Sequence, residues 1–82
     1  MAITRITKKA LKETIREQHL PEFVDQADVD RTPGIFGIAR TKAGNHMVYQ
    51  VNDQGKLYHT SVHANKREAN GRLLERLVAA QA

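Results

Sequence analysis

The chain has no cysteine and no tryptophan. The first absence removes a disulfide framework and any thiolate metal centre. It fits a reducing compartment, and the chain is read as cytoplasmic. No apolar run nears the ~20 residues of a membrane span, and no apolar block of a signal peptide follows Met1. A membrane is therefore not among the expected partners. Aromatic residues are scarce as well, two tyrosines and two phenylalanines. With 82 residues the chain is one domain. A domain of this size buries only about 60% of its unfolded surface, so its core is thin and leaves little room for a substrate pocket. There is no glycine-flanked serine elbow and no phosphate-cradling glycine loop. His59 and His63 lie four apart across a strand end and a loop, and no carboxylate completes a ligand set with them or with His46. No catalytic residue, no metal and no cofactor are expected.

Charge is present and unevenly placed. The formal net charge is +4. Residues 1–20 sum to +3, residues 21–34 to −3 and residues 35–82 to +4. Two basic stretches flank an acidic one, a balance compatible with nucleic-acid binding.

The pattern predicts an α+β fold: an N-terminal helix, a three-stranded antiparallel sheet, and a C-terminal helix packed on one sheet face. The helix is read over residues 1–20. Thr4 or Thr7 caps it, and Pro21 stops it by disfavouring helical geometry at Leu20. Ile6, Ala10, Leu11 and Ile15 share one face, while Lys8, Lys9, Lys12 and Arg16 make a basic face opposite. Residues 21–33 read as an acidic connector, in which Pro21 can start a short second helix through Ala27. The meander spans residues 34–62, punctuated by Gly34, Gly44 and Gly55. Gly37, inside its first strand, leaves room for a bulge or for close approach of another backbone. Asn65 caps a helix over residues 65–80, whose Ala69, Leu73, Leu77 and Ala80 recur every three or four residues, with Leu74 and Val78 widening the stripe. The other face of the sheet is expected to be wet, with Tyr58 on it and Arg40 on the inner face.

Several short motifs carry a resemblance. They are Gly37-Ile38-Ala39-Arg40, the hairpin from Gly44 to Asp53, the turn before Gly55-Lys56, and the helix start Asn65-Lys66-Arg67-Glu68-Ala69. In this order they resemble the three-strand-plus-helix DNA-binding domain of ethylene-response-factor proteins and of integrase N-terminal arms. The likeness covers a little over half the chain. It implies a small non-enzymatic module that binds duplex DNA through an exposed sheet face and a basic rim. Carried over by position, the implied contacts are Arg40, Lys42, Gln50, Asn52, Lys56, Tyr58, Lys66 and Arg67. Gln50 and Asn52 would pair with adenine edges, and Lys56 would reach guanine or phosphate. There is no tryptophan, and Ala39 and Thr41 stand where that family's first strand has arginines. The order helix, three strands, helix also resembles a double-stranded-RNA-binding domain, through Gly44-Asn45-His46 and the same basic helix start.

The alternative reading is a small phage-type inhibitor, anti-CRISPR-like, that docks on a host protein complex. A third reading bridges the two: the basic face of Lys8, Lys9, Lys12 and Arg16 docks on an acidic protein groove or occupies a nucleic-acid channel of a larger complex. An exposed strand edge admits either a monomer or an edge-paired homodimer.

Overall fold

The computed structural model describes residues 5–81. Its element order is α1 (Lys8–Gln18), β1 (Phe23–Asp25), β2 (Phe36–Arg40), β3 (His46–Val51), β4 (Leu57–His63) and α2 (Lys66–Ala80). The fold is α+β, with two helices on a four-stranded sheet of order β1-β2-β3-β4. β2, β3 and β4 pair antiparallel, as the glycine-bounded runs require. β1 pairs parallel with β2, so the sheet is mixed and has one strand more than the sequence pattern suggests. This strand replaces the early part of the acidic connector and the short helix read from Pro21.

α1 is shorter than residues 1–20. Thr7 is its cap, and its hydroxyl accepts from the Ala10 backbone N–H at 3.1 Å. Thr4 lies outside the described residues. The helix ends at His19, whose φ of 54° is left-handed. The backbone N–H groups of His19 and Leu20 both donate to the Ile15 carbonyl. This closure tucks Leu20 into the core beside Ile15. Pro21 then prevents resumption. α2 starts as its sequence requires: Asn65 Oδ1 accepts from the Arg67 N–H at 2.8 Å.

The main core lies between the helices and the sheet. Leu11 and Ile15 of α1 and Ala69, Leu73 and Leu77 of α2 meet Phe36, Ile38 and Val48. Each fully buried leucine or isoleucine contributes about 1.5–3 kcal/mol. Leu74 packs against this core from the side, whereas Val78 is exposed and takes no part in the stripe.

The opposite face is not wet over β2 and β3. Ala39, Tyr49 and Val51 are at most 2% exposed, with Val29 and Ile35 packed on them. The cover is the segment between β1 and β2. The Arg40 N–H donates to the Ala27 carbonyl, the Asp30 N–H to Tyr49 Oη at 3.0 Å, and the Gly34 N–H to the Val51 carbonyl. Gly37 is the cross-strand partner of Tyr49. The space left by its missing side chain is filled by the tyrosine ring rather than by a bulge or a second backbone.

β4 is the outer antiparallel strand. His59 and Thr60 together oppose Tyr49, and His59 has φ of 51°. Such a bulge twists an edge and blunts it as a pairing template.

Candidate nucleic-acid interface

Four structural facts bring basic residues to one end of the sheet. β1 runs parallel to β2, so both strands finish there, at Asp25 and Arg40. The hairpin that carries Lys42 turns at the same end, between Arg40 and His46. β4 arrives with His63 opposite His46, and three residues later α2 begins with Lys66 and Arg67. The start of α1 is tied alongside: the Ile6 N–H donates to the Arg67 carbonyl, and Asn70 Nδ2 donates to the Ile6 carbonyl.

Arg5, Lys8, Lys9, Arg40, Lys42, Lys66 and Arg67 therefore gather at this pole with three acidic residues, Asp25, Asp28 and Glu68. The surplus equals the net charge of the whole chain, +4. The rest of the molecule is balanced. Three of the cations are engaged. Lys66 Nζ is 2.7 Å and Lys8 Nζ 3.3 Å from Asp25 Oδ2, and the Arg5 guanidinium forks onto Glu68 Oε1. Lys9, Arg40, Lys42 and Arg67 are exposed and make no ion pair among the described residues. Between Asp25, Gln26 and Ala27 on one side and Arg40, His46 and Lys66 on the other lies a cleft of about 210 Å³.

The electrostatics of this cleft are consistent with its contents. Burial works to raise the Asp25 carboxyl, but the hydrogen bonds and charges of Lys66 and Lys8 outweigh it and hold the group below its ordinary 3.8. Burial, then the charges of Lys66 and Arg40, push the His46 imidazole below 6.5 against the pull of Asp25. His46 is thus neutral at neutral pH. Both shifts have the same sign for stability, because the unfolded chain takes up these protons first. The stabilisation from Asp25 is complete above 3.8 and is lost as pH falls through its lower folded value. The His46 contribution starts to fail once pH drops below 6.5. In urea denaturation across pH, Asp25→Asn is expected to flatten the loss of stability below 3.8, and His46→Gln the loss that begins below 6.5. Parallel profiles for wild type and both variants would contradict this account of the cleft.

The residues implied by the family resemblance divide into two groups. Arg40, Lys42, Lys66 and Arg67 meet at the pole. Arg40 shares the helix-side face in register with His46, yet it is exposed because the strand ends there. Gln50, Asn52, Lys56 and Tyr58 lie toward the other end. Gln50 is 5% exposed and faces the helices; its Oε1 accepts from Arg76 Nε at 3.0 Å and its Nε2 donates to Tyr58 Oη at 3.1 Å. Both ends of its amide are committed. Tyr58 consequently stands on the helix side, not on the opposite face. Asn52 Oδ1 accepts from the Gln54 and Lys56 N–H groups and holds the β3–β4 turn. Of the basic face on α1, Lys8 joins the pole through Asp25, while Lys12 and Arg16 line a separate groove. Sequence reasoning missed Asp25 as the partner of Lys66 and the cleft that brings His46 beside them. The only local signal was an aspartate directly after an apolar pair, Phe23-Val24-Asp25. No three His, Asp or Glu side chains gather in metal-binding fashion among the described residues, and no described helix is long and apolar enough to cross a membrane. Comparison with protein families, with curated proteins and with solved structures finds no match.

Proposed function

We propose that this protein is a small non-enzymatic module that binds the phosphate backbone of duplex DNA through its basic pole. The observation that carries this reading is the concentration of the entire charge surplus at one end, on two helix starts and one hairpin. Positive groups so grouped steer and hold a polyanion. The pole is the rim of the sequence-based expectation without its sheet face. The segment over Tyr49 covers β2 and β3, and Gln50 and Asn52 are occupied, so the groove-reading half of that expectation is not proposed. Contacts are made to phosphates, and affinity is nearly independent of base sequence. The bulge at His59 blunts the long edge of the sheet as a pairing surface.

Four unpaired cations give an expected slope of about −3.5 for the logarithm of the association constant against the logarithm of salt concentration, at roughly 0.9 per phosphate. Affinity then falls on the order of a hundredfold between 50 and 200 mM salt. Fluorescence anisotropy with a labelled 20-base-pair duplex of arbitrary sequence measures this. A slope near zero, or absence of binding at 50 mM salt, would remove the proposal.

A further inference from the structure

We infer that the groove between α1 and β1 seats an extended acidic segment of a partner protein, with two carboxylates two residues apart on Lys12 and Arg16. This site is separate from the basic pole and does not depend on it. The groove has a volume of about 310 Å³ and is lined by Lys12, Ile15, Arg16, Glu22 and Phe23. Its floor is apolar, formed by the nearly buried Ile15 and the half-buried Phe23. Lys12 and Arg16 are exposed and have no ion-pair partner among the described residues.

Three observations select the occupant. β1 is the terminal strand of the sheet, so its outer edge pairs with no described strand. An unpaired edge is satisfied by an added strand, and its backbone groups supply affinity without regard to side chains. Second, α1 runs alongside β1 in the opposite direction. Lys8 reaches Asp25 at the end of the strand, and Lys12 and Arg16 flank Glu22 and Phe23 at its start. Third, the spacings agree. Residues four apart on a helix rise about 6 Å along its axis. Alternate side chains of an extended strand lie about 6.6 Å apart on one face. Carboxylates two residues apart therefore match the two cations. Glu22 stands at the same mouth and repels a third carboxylate. An apolar residue on the same strand face then covers Phe23.

The test uses a fluorescein-labelled heptapeptide, Leu-Thr-Asp-Thr-Asp-Thr-Leu, whose alternation places leucine and both aspartates on one face in either chain direction. Titration into the full protein should give saturable binding, with amide shifts in a 15N correlation spectrum centred on Phe23 to Asp25. Lys12→Glu/Arg16→Glu should lower peptide affinity at least tenfold while leaving duplex affinity within about threefold. Lys12→Gln/Arg16→Gln, which adds no carboxylate to the last turn of α1, should give the same loss in smaller measure. No saturable binding up to millimolar protein, unchanged affinity in both variants, or peptide-induced shifts at Lys42 and Arg67 instead of β1 would each overturn the assignment. Loss of duplex binding in the variants would also overturn it, because these cations would then belong to the nucleic-acid surface.

Discussion

Gly37→Ala is expected to destabilise the domain by about 3 kcal/mol, at the upper end of overpacking costs, which lowers Tm by about 15 °C in a protein of this size. The expected sign runs against the usual one. Where the backbone tolerates it, glycine to alanine stabilises by about 0.4–1 kcal/mol through the unfolded chain. Here a methyl group at position 37 would stand inside the van der Waals envelope of Tyr49 Cζ and Oη and 2.8 Å from Cε1. The ring has nowhere to go. Tyr49 is fully buried, and its hydroxyl is fixed by the Asp30 N–H. Moving the ring breaks that hydrogen bond and lifts the segment that covers the second face. In a Tyr49→Leu background the obstacle is gone, and Gly37→Ala should become neutral or slightly stabilising. Thermal and urea unfolding of the four proteins give the coupling directly. Additive changes would mean that the ring and the glycine do not share this space.

Lys42→Glu/Arg67→Glu is expected to lower duplex affinity on the order of a hundredfold at 50 mM salt and to flatten the salt slope by about two. Both side chains are exposed, and neither makes an ion pair among the described residues. Folding should be little affected, since exposed substitutions of this kind usually stay within about 0.5 kcal/mol. Glutamate in the first turn of α2 even favours the helix dipole. A loss of binding with unchanged Tm therefore reports the surface and not the fold. Equal affinity for wild type and variant would remove the pole as the contact.

The two predictions meet in the cover over Tyr49. While that segment is seated, the sheet face opposite the helices is closed over β2 and β3, and the cations at the strand ends are what a polyanion can reach.

How much of this was legible beforehand differs from element to element. α2 was legible because Asn65 and the leucine spacing are local signals. The hairpins were legible because Gly44 and Gly55 adopt positive φ, 84° and 77°, at turns only a few residues long. β1 was not. It is three residues long, too short for alternation to register, and a parallel pairing leaves no tight turn to announce it. The cover over the second face was equally hidden, since it rests on Val29 and on a backbone N–H meeting a tyrosine 19 residues away. Gln50 looked like a surface residue because it is polar in a strand. Its partners, Arg76 and Tyr58, come from other elements. The same reasoning applies to the pole. Arg40, Lys42, Lys66 and Arg67 could be named one by one, but their union with Lys8 and Asp25 depends on where β1 and α1 pack.

The most direct measurement is a 15N–1H correlation spectrum of the wild-type protein titrated with an unlabelled 20-base-pair duplex at low salt. The amides of Arg40 to His46 and of Asn65 to Arg67 are expected to shift most, with Lys8 and Lys9 close behind and the β3–β4 turn silent. Shifts centred on β4, on the turn at Asn52 to Lys56, or on Lys12 and Arg16 would contradict a binding surface at the basic pole.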